Sequence, residues 1–64
     1  MKNEQLKESF TKSVNGIEFV INGLKEATSH SDFILRILLI DVLRESDILK
    51  QRIEQIQYAV AENS

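Results

Sequence analysis

Residues Phe33 to Leu43 read FILRILLIDVL, nine apolar side chains among eleven, interrupted only by Arg36 and Asp41. No glycine or proline follows before the end of the chain, so the stretch opens a long uninterrupted helix, expected from about Asp32 to Ala61. A helix apolar on more than one side cannot be satisfied by a single neighbour. The chain has 64 residues and few neighbours of its own to offer.

Upstream, Leu6, Phe10, Val14, Ile17, Val20, Ile21, Leu24 and Ala27 recur at steps dominated by three and four. That spacing predicts a first helix from about Asn3 to Ala27, with Glu8 and Lys12 as an i,i+4 pair beside the stripe. Asn15-Gly16 and Asn22-Gly23 flank IEFVI and are each a hairpin-turn dipeptide, which raises a competing β-meander. The flanking SFTKSV and LKEAT alternate poorly, so helix is preferred despite a cost of about 1 kcal/mol for each interior glycine. Spaced by heptads, Ser9, Gly16 and Gly23 form either a small-residue stripe for a closely approaching helix or a weak solvent-facing stretch.

Thr28-Ser29-His30-Ser31-Asp32 marks the break, with the turn at about 28–31. Ser29 with Asp32 resembles a capping box and Ser31 is an equally good N-cap. Asp32 suits the first turn of a helix and lies i,i+4 from Arg36. So short a connection makes the helices antiparallel neighbours. The expected fold is all-α, one antiparallel two-helix hairpin over residues 1–64, completed by a partner or by dimerisation.

The second helix carries two stripes. Leu35, Leu38, Leu39, Val42, Leu49, Ile53, Ile56 and Val60 run its whole length and are expected to face the first helix. Phe33, Ile37, Ile40, Ile48 and Tyr58 lie roughly opposite, densest in the first half, and Phe19 lies off the main stripe of the first helix. Clustered apolar residues of this size point to a contact surface. The partner-binding candidates are Phe33, Ile37, Ile40, Arg44, Ile48, Tyr58 and Phe19. For Tyr58, an interface anchor and loose packing on its own helix are equally open.

Composition removes other functions. With no cysteine there is neither a disulfide nor a thiolate metal site, and His30 alone does not make a zinc site. No cofactor is expected. Eight Lys or Arg against ten Asp or Glu, all dispersed, form no block that would track a phosphate backbone. The start, Lys2-Asn3-Glu4-Gln5, has no apolar signal segment, and FILRILLIDVL falls short of the roughly 20 residues a membrane span requires. A cytoplasmic protein that does not insert into membranes is the expectation. His30 reads as a solvated loop residue, because no Ser, Cys or paired carboxylate recurs beside it. Asp41 reads as an ion-pair partner of Arg44 at a stripe's edge. With no phosphate loop and no nucleophile motif, enzymatic activity is not expected.

The segment RESDILKQRIEQIQYAV, Arg44 to Val60, resembles the tail of the small E-type needle co-chaperones of bacterial type III secretion, the YscE-like family. The likeness is carried by Arg44-Glu45-Ser46, Leu49, Ile53, Ile56 and Tyr58, and by the polar break at 28–32. It implies a helical hairpin that binds a tetratricopeptide-repeat chaperone and, through it, keeps a needle subunit unpolymerised before export. Alternatives are a homodimeric four-helix-bundle regulator, since the chain alone is a possible homodimer, and a helical-hairpin inhibitor of another protein.

Overall fold

The computed structural model describes the backbone of residues 2–62 and the side chains of 4–62. Two helices, α1 (Lys2–Ser29) and α2 (Phe33–Glu62), pack against each other as a hairpin 48 Å long. IEFVI is helical throughout, and no strand occurs among the described residues. Each helix is about 30 residues, so at 1.5 Å per residue the pair accounts for nearly the whole length of the molecule.

Hydroxyl groups shape the end of α1. Thr28 Oγ1 donates to the carbonyl of Leu24 at 2.8 Å, Ser29 Oγ to that of Glu26 at 2.7 Å, and Ser31 Oγ to that of Ala27. The backbone N–H groups of His30 and Ser31 close onto Ala27 and Thr28. Orphan carbonyls are thus satisfied without a left-handed cap, and no described residue has a positive φ. α1 therefore extends two residues past Ala27. The N-cap of α2 is Asp32, whose Oδ1 accepts from the backbone N–H of Leu35 at 2.9 Å. Neither Ser29 nor Ser31 fills that role, because both hydroxyls are turned back onto α1. With its carboxylate so engaged, Asp32 does not pair with Arg36, which donates instead to the carbonyl of Ser31 at 3.3 Å. Glu8 and Lys12 likewise do not close an ion pair.

The protected residues form two matching series. On α1 they are Lys7, Phe10, Val14, Ile17, Ile21, Leu24 and Thr28; on α2 they are Leu39, Leu43, Ser46, Lys50, Ile53, Gln57 and Val60. Both alternate steps of three and four, the seam of an antiparallel coiled coil. Two contacts pin the register: Lys50 Nζ meets Glu18 at 3.2 Å, and Gln57 Nε2 lies 3.4 Å from Thr11 Oγ1. One heptad back along α1 corresponds to one heptad forward along α2. That register puts Ile21, the one buried apolar residue among the described residues, level with Ser46, whose hydroxyl is bonded to its own helix at the carbonyl of Val42.

This seam corrects the expected inner stripe of α2. Leu39, Ile53 and Val60 do face α1, but Leu35, Leu38, Val42, Leu49 and Ile56 stand half exposed beside it. The helix is turned by roughly a sixth of a revolution from the expected orientation. Leu43, Ser46, Lys50 and Gln57 occupy the places expected of the apolar set.

Candidate interaction surfaces

On either side of the seam each helix presents a flank, and the two flanks of the hairpin differ in chemistry. One is charged over its middle: Glu18, Asn22, Lys25, Asp47 and Lys50 line an open groove there, with Ile21 at its floor. The other flank carries a long apolar row, with Glu45 and Arg52 beside it on α2. On α2 it carries Leu35, Leu38, Val42, Leu49 and Ile56, exposed by 45 to 57%, and on α1 Leu6 and Val20, at 44 and 47%. Between the α1 residues of this flank lie Ser9, Ser13, Gly16 and Gly23. A Cβ added at either glycine would meet nothing within 4 Å, so the glycine stripe makes no helix contact within the chain.

The expected partner-binding residues are all exposed but do not form one site. Phe33, Ile37, Ile40 and Arg44 follow at steps of four, three and four, one row along the charged side of α2 near the turn. Tyr58 continues that row roughly 20 Å further on, beyond Asp47, Gln51 and Glu54. Ile48 sits on the back of α2, away from α1. Phe19, 81% exposed, projects from the back of α1, on the opposite side of the molecule. Arg44 is 4.0 Å from Asp41, an exposed i,i+3 pair of little energetic weight.

Around its first turns α2 is apolar in every outward direction. Phe33 and Ile34 are 75 and 71% exposed, and Leu35, Ile37, Leu38 and Ile40 are at least 45% exposed. His30 lies exposed at the turn. No cluster of three or more metal-ligating side chains occurs among the described residues. No helix of the described residues is long and apolar enough to cross a membrane.

Sequence reasoning missed the apolar flank because it assigned those residues to the interior. The signal was present: Leu35, Val42, Leu49 and Ile56 are spaced by seven, the mark of a second coiled-coil row parallel to the first. The total surface is correspondingly large. The chain exposes 5203 Å², whereas a globular monomer of 7.4 kDa is expected to expose about 4,200 Å². The excess of about 1,000 Å² belongs to the rod shape of the hairpin, which leaves both flanks of the seam open. Comparison with protein-family models, with curated proteins and with solved structures returns no match.

Proposed function

We propose that the chain is a small non-enzymatic adaptor that acts by docking the turn end of its hairpin into another helical protein. The observation that carries this reading is the exposure of Phe33, Ile34, Ile37 and Ile40 together, covered by no other part of the hairpin among the described residues. Clustered apolar side chains at a rigid helix end suit a groove between partner helices, where aromatic and aliphatic anchors dominate binding energy. Arg44 at the edge of the row supplies orientation.

The specific form of the adaptor is a cytoplasmic co-chaperone of the E type. It binds a tetratricopeptide-repeat chaperone, and the pair holds a type III secretion needle subunit unpolymerised. Support comes from the Arg44 to Val60 resemblance and from the two-helix hairpin, the fold that the resemblance implies. The chaperone would be stabilised by mass action, without chemistry.

Co-expression with a repeat chaperone from the same cell, followed by affinity capture, tests the reading. Ile37→Asp and Ile40→Asp are expected to abolish capture, each removing an anchor worth about 2 kcal/mol or more. Gln51→Asp, further along the same row, is expected to leave it intact. Equal loss in all three would remove the turn end as the docking surface.

A further inference from the structure

The apolar flank is a different surface from the turn-end row and calls for a different occupant, one that covers both helices at once. From the order of residues along it, we infer that the occupant is a second copy of this chain, bound about a twofold axis that crosses α2 at Leu49. The inference is independent of the adaptor reading.

Its first support is charge. Along the flank of α2 the order is Val42, Glu45, Leu49, Arg52, Ile56. That order is self-complementary when reversed: an antiparallel α2 of a second copy, centred on Leu49, sets Val42 against Ile56 and brings Glu45 within one residue of the level of Arg52, in reach of these long side chains. Leu49 then meets its own counterpart, as a residue on a twofold axis must. Glu45 and Arg52 are both exposed, and neither forms an ion pair among the described residues, so each is placed to make the cross-pair.

The second support comes from α1. The seam that sets Ile21 level with Ser46 brings α1 level with Leu49 at Glu18, so the same axis relates α1 residues placed symmetrically about that level. Gly16 then falls opposite Val20 of the second copy, and Ser13 opposite Gly23. The larger side chain meets a residue with no side chain, which allows the close approach of backbones seen where small residues line helix contacts. The hydroxyls of Ser9 and Ser13 already donate to the carbonyls of Gln5 and Ser9, both at 3.0 Å, so covering them strands no polar hydrogen.

The third support is extent. The exposed apolar side chains of this flank run from Leu35 to Ile56 on α2, about 30 Å at 1.5 Å per residue, long enough for a full helix-pair interface. The product is a four-helix bundle with the two turns at opposite ends. Each end then presents one Phe33, Ile37 and Ile40 row, on the side of the hairpin away from the second copy.

Sedimentation of the purified full chain tests the inference, with Leu49→Asp, Ile37→Asp and charge-reversed variants compared at matched helicity. The native chain is expected to be dimeric at about 50 μM, and Leu49→Asp to weaken association about tenfold or more while Ile37→Asp leaves it unchanged. Glu45→Arg alone should weaken the dimer, and Glu45→Arg with Arg52→Glu should restore it. Because the chain has no cysteine, Leu49→Cys offers a second readout: oxidation should give a covalent dimer, and Ile48→Cys should not. A native chain that stays monomeric, failure of the double reversal to restore association, or equal crosslinking at positions 48 and 49 would overturn the twofold arrangement. Loss of repeat-chaperone capture with the dimer intact would instead count against the adaptor reading alone.

Discussion

Lys50 sits in the row of side chains between the helices and reaches Glu18 across the seam at 3.2 Å. The lysine occupies a position where a coiled coil ordinarily places an apolar residue, and it keeps 29% of its side chain exposed by turning its ammonium toward the charged flank. Its methylenes line the seam while its charge reads the register, because a slip of one heptad would bring it to Thr11 or Lys25. Specificity of pairing is thereby obtained at some expense of core burial.

Replacing that residue should separate the two effects. Lys50→Leu is expected to raise stability by about 1 kcal/mol, since apolar burial gained in the seam exceeds the small value of an exposed ion pair. Thermal unfolding followed by circular dichroism should show a midpoint higher by about 4–8 °C. An unchanged or lower midpoint would mean that the ion pair contributes more than its exposure suggests.

The start of α2 depends on one carboxylate. Asp32→Ala removes the acceptor for the Leu35 N–H and is expected to cost about 1 kcal/mol. Ser29→Ala, which deletes a hydroxyl bonded back onto its own helix, is expected to change stability far less. Urea unfolding of the two variants side by side distinguishes a cap from a passive turn residue.

Gly16 and Gly23 weaken α1 without making a contact inside the chain. Gly16→Ala and Gly23→Ala should each stabilise the helix by about 1 kcal/mol and raise the ellipticity at 222 nm in solutions dilute enough for the chain to be monomeric. A loss of helicity in dilute solution would show that the open space beside these residues is filled in the folded hairpin.

Phe19 and Phe33 are too exposed to hold the fold together. Phe19→Gln and Phe33→Gln are expected to alter unfolding free energy by no more than about 0.5 kcal/mol. Of the two, only Phe33→Gln is expected to weaken capture of a repeat chaperone, because Phe19 projects from the other side of the molecule. Equal effects on capture would join the two surfaces into one.

Much of this architecture is legible in the residues before any folding. The absence of proline, the three-and-four spacing from Leu6 to Ala27 and the polar break at 28–32 specify two helices and a short reversal, because these are local properties of the backbone and its caps. The surplus of apolar residues around Phe33 to Leu43 is likewise visible from composition alone. The rotation of α2 about its axis is not. Apolar residues on several sides give that helix more than one acceptable face, and nothing in its own pattern ranks them.

Only packing against α1 chose the row from Leu39 to Val60, admitting Ser46, Lys50 and Gln57 to the seam and leaving Leu35, Val42, Leu49 and Ile56 outside. The choice belongs to the pair. Two helices must mesh over their whole length at one register, and the best joint fit is not the face with the most leucines. The residues thus determine that this protein is a hairpin with more apolar surface than it can bury, and the tertiary structure decides which surface is left for another chain.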